Sequence, residues 1–107
     1  MNFQPTTDME LVRRIMTDSS VYPYITDDGC PEVLDFEPAN APGMMYVLVV
    51  DGAELLGLWL FTMQNSICWE VHTCLLPCAY GEKARRAARE MAAWIWANTP
   101  CRRLVTT

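Results

Sequence analysis

Residues 69–107 read WEVHTCLLPCAYGEKARRAAREMAAWIWANTPCRRLVTT. The run Trp69–Leu76 is apolar and strand-like, and Pro77 stops it because proline has no N–H to give a sheet ladder. Gly81 then turns the chain into a long helix over residues 82–98. That helix carries Ala84, Ala87, Ala88, Met91, Trp94 and Ile95 on one stripe, with Arg85, Arg86, Arg89 and Glu90 on its other face. Thr99-Pro100 ends it, and Arg103–Thr106 begins a further strand. Strand, crossover helix and strand in this order predict a parallel pair joined by a right-handed connection. A helix entered through a glycine turn also leaves backbone N–H groups and a positive dipole end open, which is the physical basis of an anion site.

Upstream the period is again that of strands. Tyr46–Val50 is a dense β-branched and apolar run, and Asp51-Gly52 is a hairpin signal. Glu54–Thr62 returns, with Gly57 marking a bulge or a close backbone approach. Gln64-Asn65-Ser66 makes the next turn and Ile67–Leu76 the third strand, so residues 45–76 predict an antiparallel meander. Glu37–Gly43 is a proline-rich connector, and a turn of helix is expected near Pro31–Phe36. Val21–Ile25, interrupted by Pro23, reads as loop. Thr7 and Glu10 form a capping box for a first helix over residues 8–17, with Leu11, Val12, Ile15 and Met16 turned inward. The expected class is α/β, more narrowly an α+β mixed sheet, in a single domain over residues 1–107.

Composition narrows the function. At 107 residues and 51% hydrophobic the chain suits one core. It has no apolar stretch of about 18 residues, so no membrane partner is expected. The N-terminus lacks the basic start and apolar run of a signal peptide, so a cytoplasmic location is expected. Net charge is −5, divided unevenly: residues 1–70 hold eleven acids against Arg13 and Arg14, whereas Lys83 and five arginines fall in residues 71–107. That acidic half leaves no basic face for a nucleic acid. Cys30, Cys68, Cys74, Cys78 and Cys101 are odd in number, contain no C-x-x-C pair and accompany one histidine, so free thiols are expected and a metal site is not.

The order of elements resembles the front two thirds of a GNAT N-acyltransferase. Within it, Trp69–Pro77, Gly81 and Asn98–Thr106 resemble small GNAT-like proteins of bacteriophages. The resemblance implies acetyl-CoA as co-substrate and an amine acceptor, either a small molecule or a protein. It implies that the coenzyme arm pairs with the backbone of Cys74, Leu75 and Leu76, and that the pyrophosphate rests on the turn of Tyr80, Gly81, Glu82, Lys83, Ala84 and Arg85. Where the family's turn has glycine or another small residue, this chain has Lys83 and Arg85, and a side chain there limits close approach to the backbone. The family continues beyond Leu104–Thr106 with a helix and two strands, so the chain is expected to be C-terminally short or to be completed by a second copy. Trp94, Ile95 and Trp96 supply more apolar surface than the expected sheet buries, which also points to a homo-oligomer.

Attack of an amine on a thioester needs a base. Glu70 and His72 alternate on one face of the third strand and emerge together, which makes them the catalytic candidates. The competing reading shows both to solvent while Trp69, Val71 and Thr73 face the core. Cys74 and Cys78 read as packing residues rather than nucleophiles, and Trp59, Trp94 and Trp96 as core. Tyr22 and Tyr24 lie in the segment that shapes the acceptor site in the family. A catalytically inactive GNAT fold, serving as a binding or virion-associated structural module, is the alternative function.

Overall fold

The hairpin at Asp51-Gly52 anchors the architecture. In a computed structural model, which describes residues 1–25, 32 and 36–106, strands β2 (Met44–Asp51) and β3 (Glu54–Met63) pair antiparallel across it. β4 (Cys68–Leu75) continues the meander, and β5 (Arg103–Thr106) runs parallel to β4, with Cys68 opposite Arg103 and Val71 opposite Thr106. The predicted meander and parallel crossover are therefore both present. The connecting helix α3 spans Glu82–Asn98 without a break.

A strand that the sequence reading did not find completes the sheet. β1 (Asn2–Thr6) pairs antiparallel with β2, giving a five-stranded mixed sheet in the order β1-β2-β3-β4-β5. Pro5 is tolerated because β1 is an edge strand, where a missing N–H breaks no internal ladder. The first helix, α1, runs Met9–Met16, and its cap is Asp8 rather than Thr7: the Asp8 carboxylate accepts the Leu11 N–H at 3.2 Å. Val21–Ile25 is not wholly loop either. Tyr22–Ile25 forms one turn, α2, because Pro23 sits in its first turn, where no helical N–H bond is required. The turn of helix expected near residues 31–36 lies largely outside the described residues, as does Cys30.

Helices cover both faces of the sheet. Val47, Val49, Trp59, Phe61, Trp69 and Val71 pack against Ala87, Met91 and Ile95 of α3. Tyr46, Leu48, Leu58, Leu60 and Cys74 pack against Val12, Ile15 and Met16 of α1. The alternation along each strand is the period-two pattern that feeds two cores from one sheet. The apolar surplus expected at residues 94–96 is smaller than the sequence suggests. Ile95 is fully buried, and Trp94 stacks on Phe3 of β1 with ring centroids 6.0 Å apart, so only Trp96 stays substantially exposed. Among the described residues no helix is long and apolar enough to cross a membrane.

Candidate functional site

β5 pairs with only the first half of β4, so beyond Val71 and Thr106 the edge of β4 has no ladder partner among the described residues. Backbone direction alternates along a strand, and this decides which residues offer polar groups to that edge. The Leu76 N–H donates to the Leu56 carbonyl at 2.8 Å, and the Cys74 carbonyl crowds Gly57, so Cys74 and Leu76 face β3. Thr73 and Leu75 therefore present their N–H and C=O groups outward. Of the three residues expected to pair with a coenzyme arm, Leu75 alone has its backbone on the open edge. Thr73, which was not expected, joins it.

Two grooves lie along this edge. The first, about 290 Å³, is bounded by Ser20, Val21, Cys74, Leu75, Tyr80 and Ala84. The second, about 340 Å³, is bounded by Ile25, Val71, His72 and Thr106 and is the more polar of the two. Tyr24 and Thr73 border both, and the Tyr24 ring, 86% exposed, stands between them. Tyr22 has a different role, packing edge-on to Phe36 at 5.3 Å.

The wall of the first groove is locally fixed. The Asp18 carboxylate accepts the Ser20 hydroxyl and, at 2.9 Å, the Ser20 N–H, and these bonds hold its carboxyl below the usual range. Because the carboxyl is depressed, that support is present above its ordinary titration range and lost only as pH falls below it. The wall is intact at neutral pH.

Between Tyr80 and Ala84, which border this groove, Gly81, with φ of +90°, begins α3, and no side chain among the described residues caps its first turn. The charged side chains around that turn are already paired. Lys83 donates to Glu54, which holds its ammonium protonated above the usual lysine range; Arg85 meets Glu82 at 3.2 Å and Arg86 meets Glu90 at 2.8 Å. Lys83 thus leans toward the β2–β3 hairpin, so its presence in the turn does not fill the groove. Tyr80 lies over the groove, its hydroxyl 3.5 Å from the Ser20 carbonyl.

Glu70 and His72 emerge on the same face of β4 and meet each other, with Nε2 of His72 2.8 Å from Oε1 of Glu70. Their side chains are 25% and 32% exposed, while Trp69 and Val71 face the core as the competing reading expected. Thr73 is exposed but is not a core residue; its hydroxyl accepts the Trp59 indole N–H at 3.1 Å, satisfying that buried donor.

Cys68, Cys74, Cys78 and Cys101 are free, and burial pushes the Cys74 thiol up to about 12, which leaves it protonated and unreactive at neutral pH. Alkylation of the native protein followed by peptide mass spectrometry should modify exposed Cys78 first among these four. Cys74 and Cys101 should react only on unfolding, and equal labelling of all four would contradict the burial pattern. Among the described residues no group of three or more histidine, cysteine or acidic side chains is placed to hold a metal ion. Compared with protein-family models, curated proteins and solved structures, the chain matches none.

Proposed function

We propose that the protein is a GNAT-like, acetyl-CoA-dependent N-acyltransferase acting on an amine, and that its site is the pair of grooves along the open edge of β4. The observation that carries this reading is that edge itself: outward backbone groups at Thr73 and Leu75 beside an apolar groove that leads to an uncapped helix start. The donor set fits a coenzyme. An extended amide-bearing arm pairs with a free strand edge, Val21, Cys74 and Ala84 supply apolar walls, and the first-turn N–H groups of α3 suit a diphosphate. When bound, the coenzyme supplies an acyl thioester.

The chain's own residues then have separable tasks. Thr73 and Leu75 set the depth and direction of the arm through their backbone. Tyr24 stands where the two grooves meet and orients whatever passes between them. The polar groove beside His72 receives the acceptor amine, and the Glu70–His72 pair takes its proton.

Thermal unfolding tests the binding step. A ligand that binds only the folded state at about 100 times its Kd stabilises by about 2.7 kcal/mol. In a domain of this size that corresponds to a rise of roughly 10 °C or more in Tm. Absence of any shift with millimolar acetyl-CoA or CoA would remove the coenzyme from the reading. A clear shift without transfer to any amine tested would instead assign a coenzyme-binding module that does no chemistry.

A further inference from the structure

Past the Val71–Thr106 pair, where the β4–β5 ladder ends, the next residue with its backbone on the open edge is Thr73. Its side chain lies on the α3 face, opposite Trp59 across the β3–β4 ladder, whereas His72, opposite Leu60, lies on the α1 face. The Thr73 hydroxyl accepts the Trp59 indole N–H at 3.1 Å. That indole is itself held, because Trp59 is 1% exposed and its ring meets Phe3 at a centroid distance of 6.1 Å. An indole nitrogen only donates, so the hydroxyl proton of Thr73 must point elsewhere. No acceptor for it occurs among the described residues. Trp59 approaches from the core and Thr73 is exposed, so that proton is turned outward, at a residue that borders both grooves.

A hydroxyl anchored by a core contact, with its proton unclaimed, is preorganised for an oxygen that arrives with a ligand. We propose that the Thr73 hydroxyl is a catalytic hydrogen-bond donor to the acyl carbonyl oxygen, with Trp59 as its positioning residue. The assignment rests on the functional reading above. Thr73 stands where the two grooves meet, so an acyl group carried along the first groove ends beside its hydroxyl. As the amine nitrogen bonds the carbonyl carbon, the carbonyl π pair moves onto oxygen, where the Thr73 O–H meets the growing charge. The pair then returns to carbon, the C–S bond breaks and the thiolate leaves. Thr73 keeps its proton throughout, and the amine proton passes to the Glu70–His72 pair on the other face of β4.

Carbon-13 NMR of acetyl-CoA labelled at the carbonyl reads this hydrogen bond in the bound protein without turnover. On binding to the wild type, the carbonyl resonance should move downfield of its free position. Thr73→Ser keeps the donor and should retain that shift. Thr73→Val, a change of similar shape at an exposed strand position, should still bind acetyl-CoA but lose most of the shift. Trp59→Phe leaves the hydroxyl unanchored and should give an intermediate value. A wild-type carbonyl shift in Thr73→Val, or its loss in Thr73→Ser, would overturn the donor. Binding to the wild type with an unmoved carbonyl would refute the donor alone, whereas no binding at all removes the coenzyme reading and the donor with it. If acetyl transfer is measured, Thr73→Val should lower kcat by roughly 10²–10³-fold with little change in the KM for acetyl-CoA. A purely structural Thr73, serving only to pair the Trp59 N–H, would lower Tm in Thr73→Val and leave both the carbonyl shift and kcat as they are.

Discussion

Gly57→Ala is expected to cost about 3 kcal/mol or more, lowering Tm by more than roughly 10 °C or preventing folding. Gly57 has φ of +138°, a conformation that L side chains rarely adopt. A Cβ built there would lie 2.3 Å from the Cys74 carbonyl oxygen and 2.8 Å from the Leu75 Cα. Those atoms belong to the β4 backbone, so no side-chain rotation relieves the clash and the strand itself must move. The displaced residues are also the ones that frame the first groove, so under the proposed function any folded fraction should bind acetyl-CoA poorly. Gly81→Ala is the internal control: its φ is also positive, at +90°, but open space surrounds the new methyl group. It should lose only the conformational part, about 1–3 kcal/mol. Urea unfolding of both variants separates the two contributions, and a Gly57→Ala protein as stable as Gly81→Ala would refute the close approach.

Gly57 was readable as a close approach because a glycine inside an apolar strand has no packing reason to be there. The meander, α3 and the parallel β5 were legible on similar grounds: each has a strong period bounded by Asp51-Gly52, Pro77, Gly81 or Pro100. β1 was not, because Asn2-Phe-Gln-Pro-Thr6 has one large apolar residue and a proline, and only its pairing with β2 and the stacking of Phe3 on Trp59 and Trp94 make it a strand. Pro23 misled in the opposite direction, since the same residue that breaks a helix interior suits a first turn. Within the site, the shared face of Glu70 and His72 followed from alternation alone. Which backbone groups of residues 73–76 face the open edge did not, because that depends on the β3–β4 register around Gly57. Gln64 was legible only as a turn residue; its contact with Glu70 depends on how that turn folds back over β4.

Under the proposed function, in which the Glu70–His72 pair takes the amine proton, the largest functional effect is expected at His72. Replacement of a general base costs about 10²–10⁴-fold, which is roughly 3–5 kcal/mol of transition-state stabilisation. His72→Ala should lower kcat for acetyl transfer by that factor while the KM for acetyl-CoA changes little, because the imidazole borders the second groove and not the one beside Leu75 and Ala84. Glu70→Gln keeps the shape of the side chain and removes the charge that steadies a protonated ring, so it should cut kcat in the same direction but less deeply. Because Glu70 acts through His72, the double variant should be no slower than His72→Ala alone; residues that work as one unit are not additive. If Glu70 were instead the base, the order would reverse and Glu70→Gln would be the slower single variant. Glu70 is in contact with Gln64 and His72 but does not itself border the groove, whereas His72 does. Steady-state rates for the three variants against one amine distinguish the arrangements. Activity within a few-fold of wild type in His72→Ala would remove the pair from the chemistry and leave the groove as a binding site.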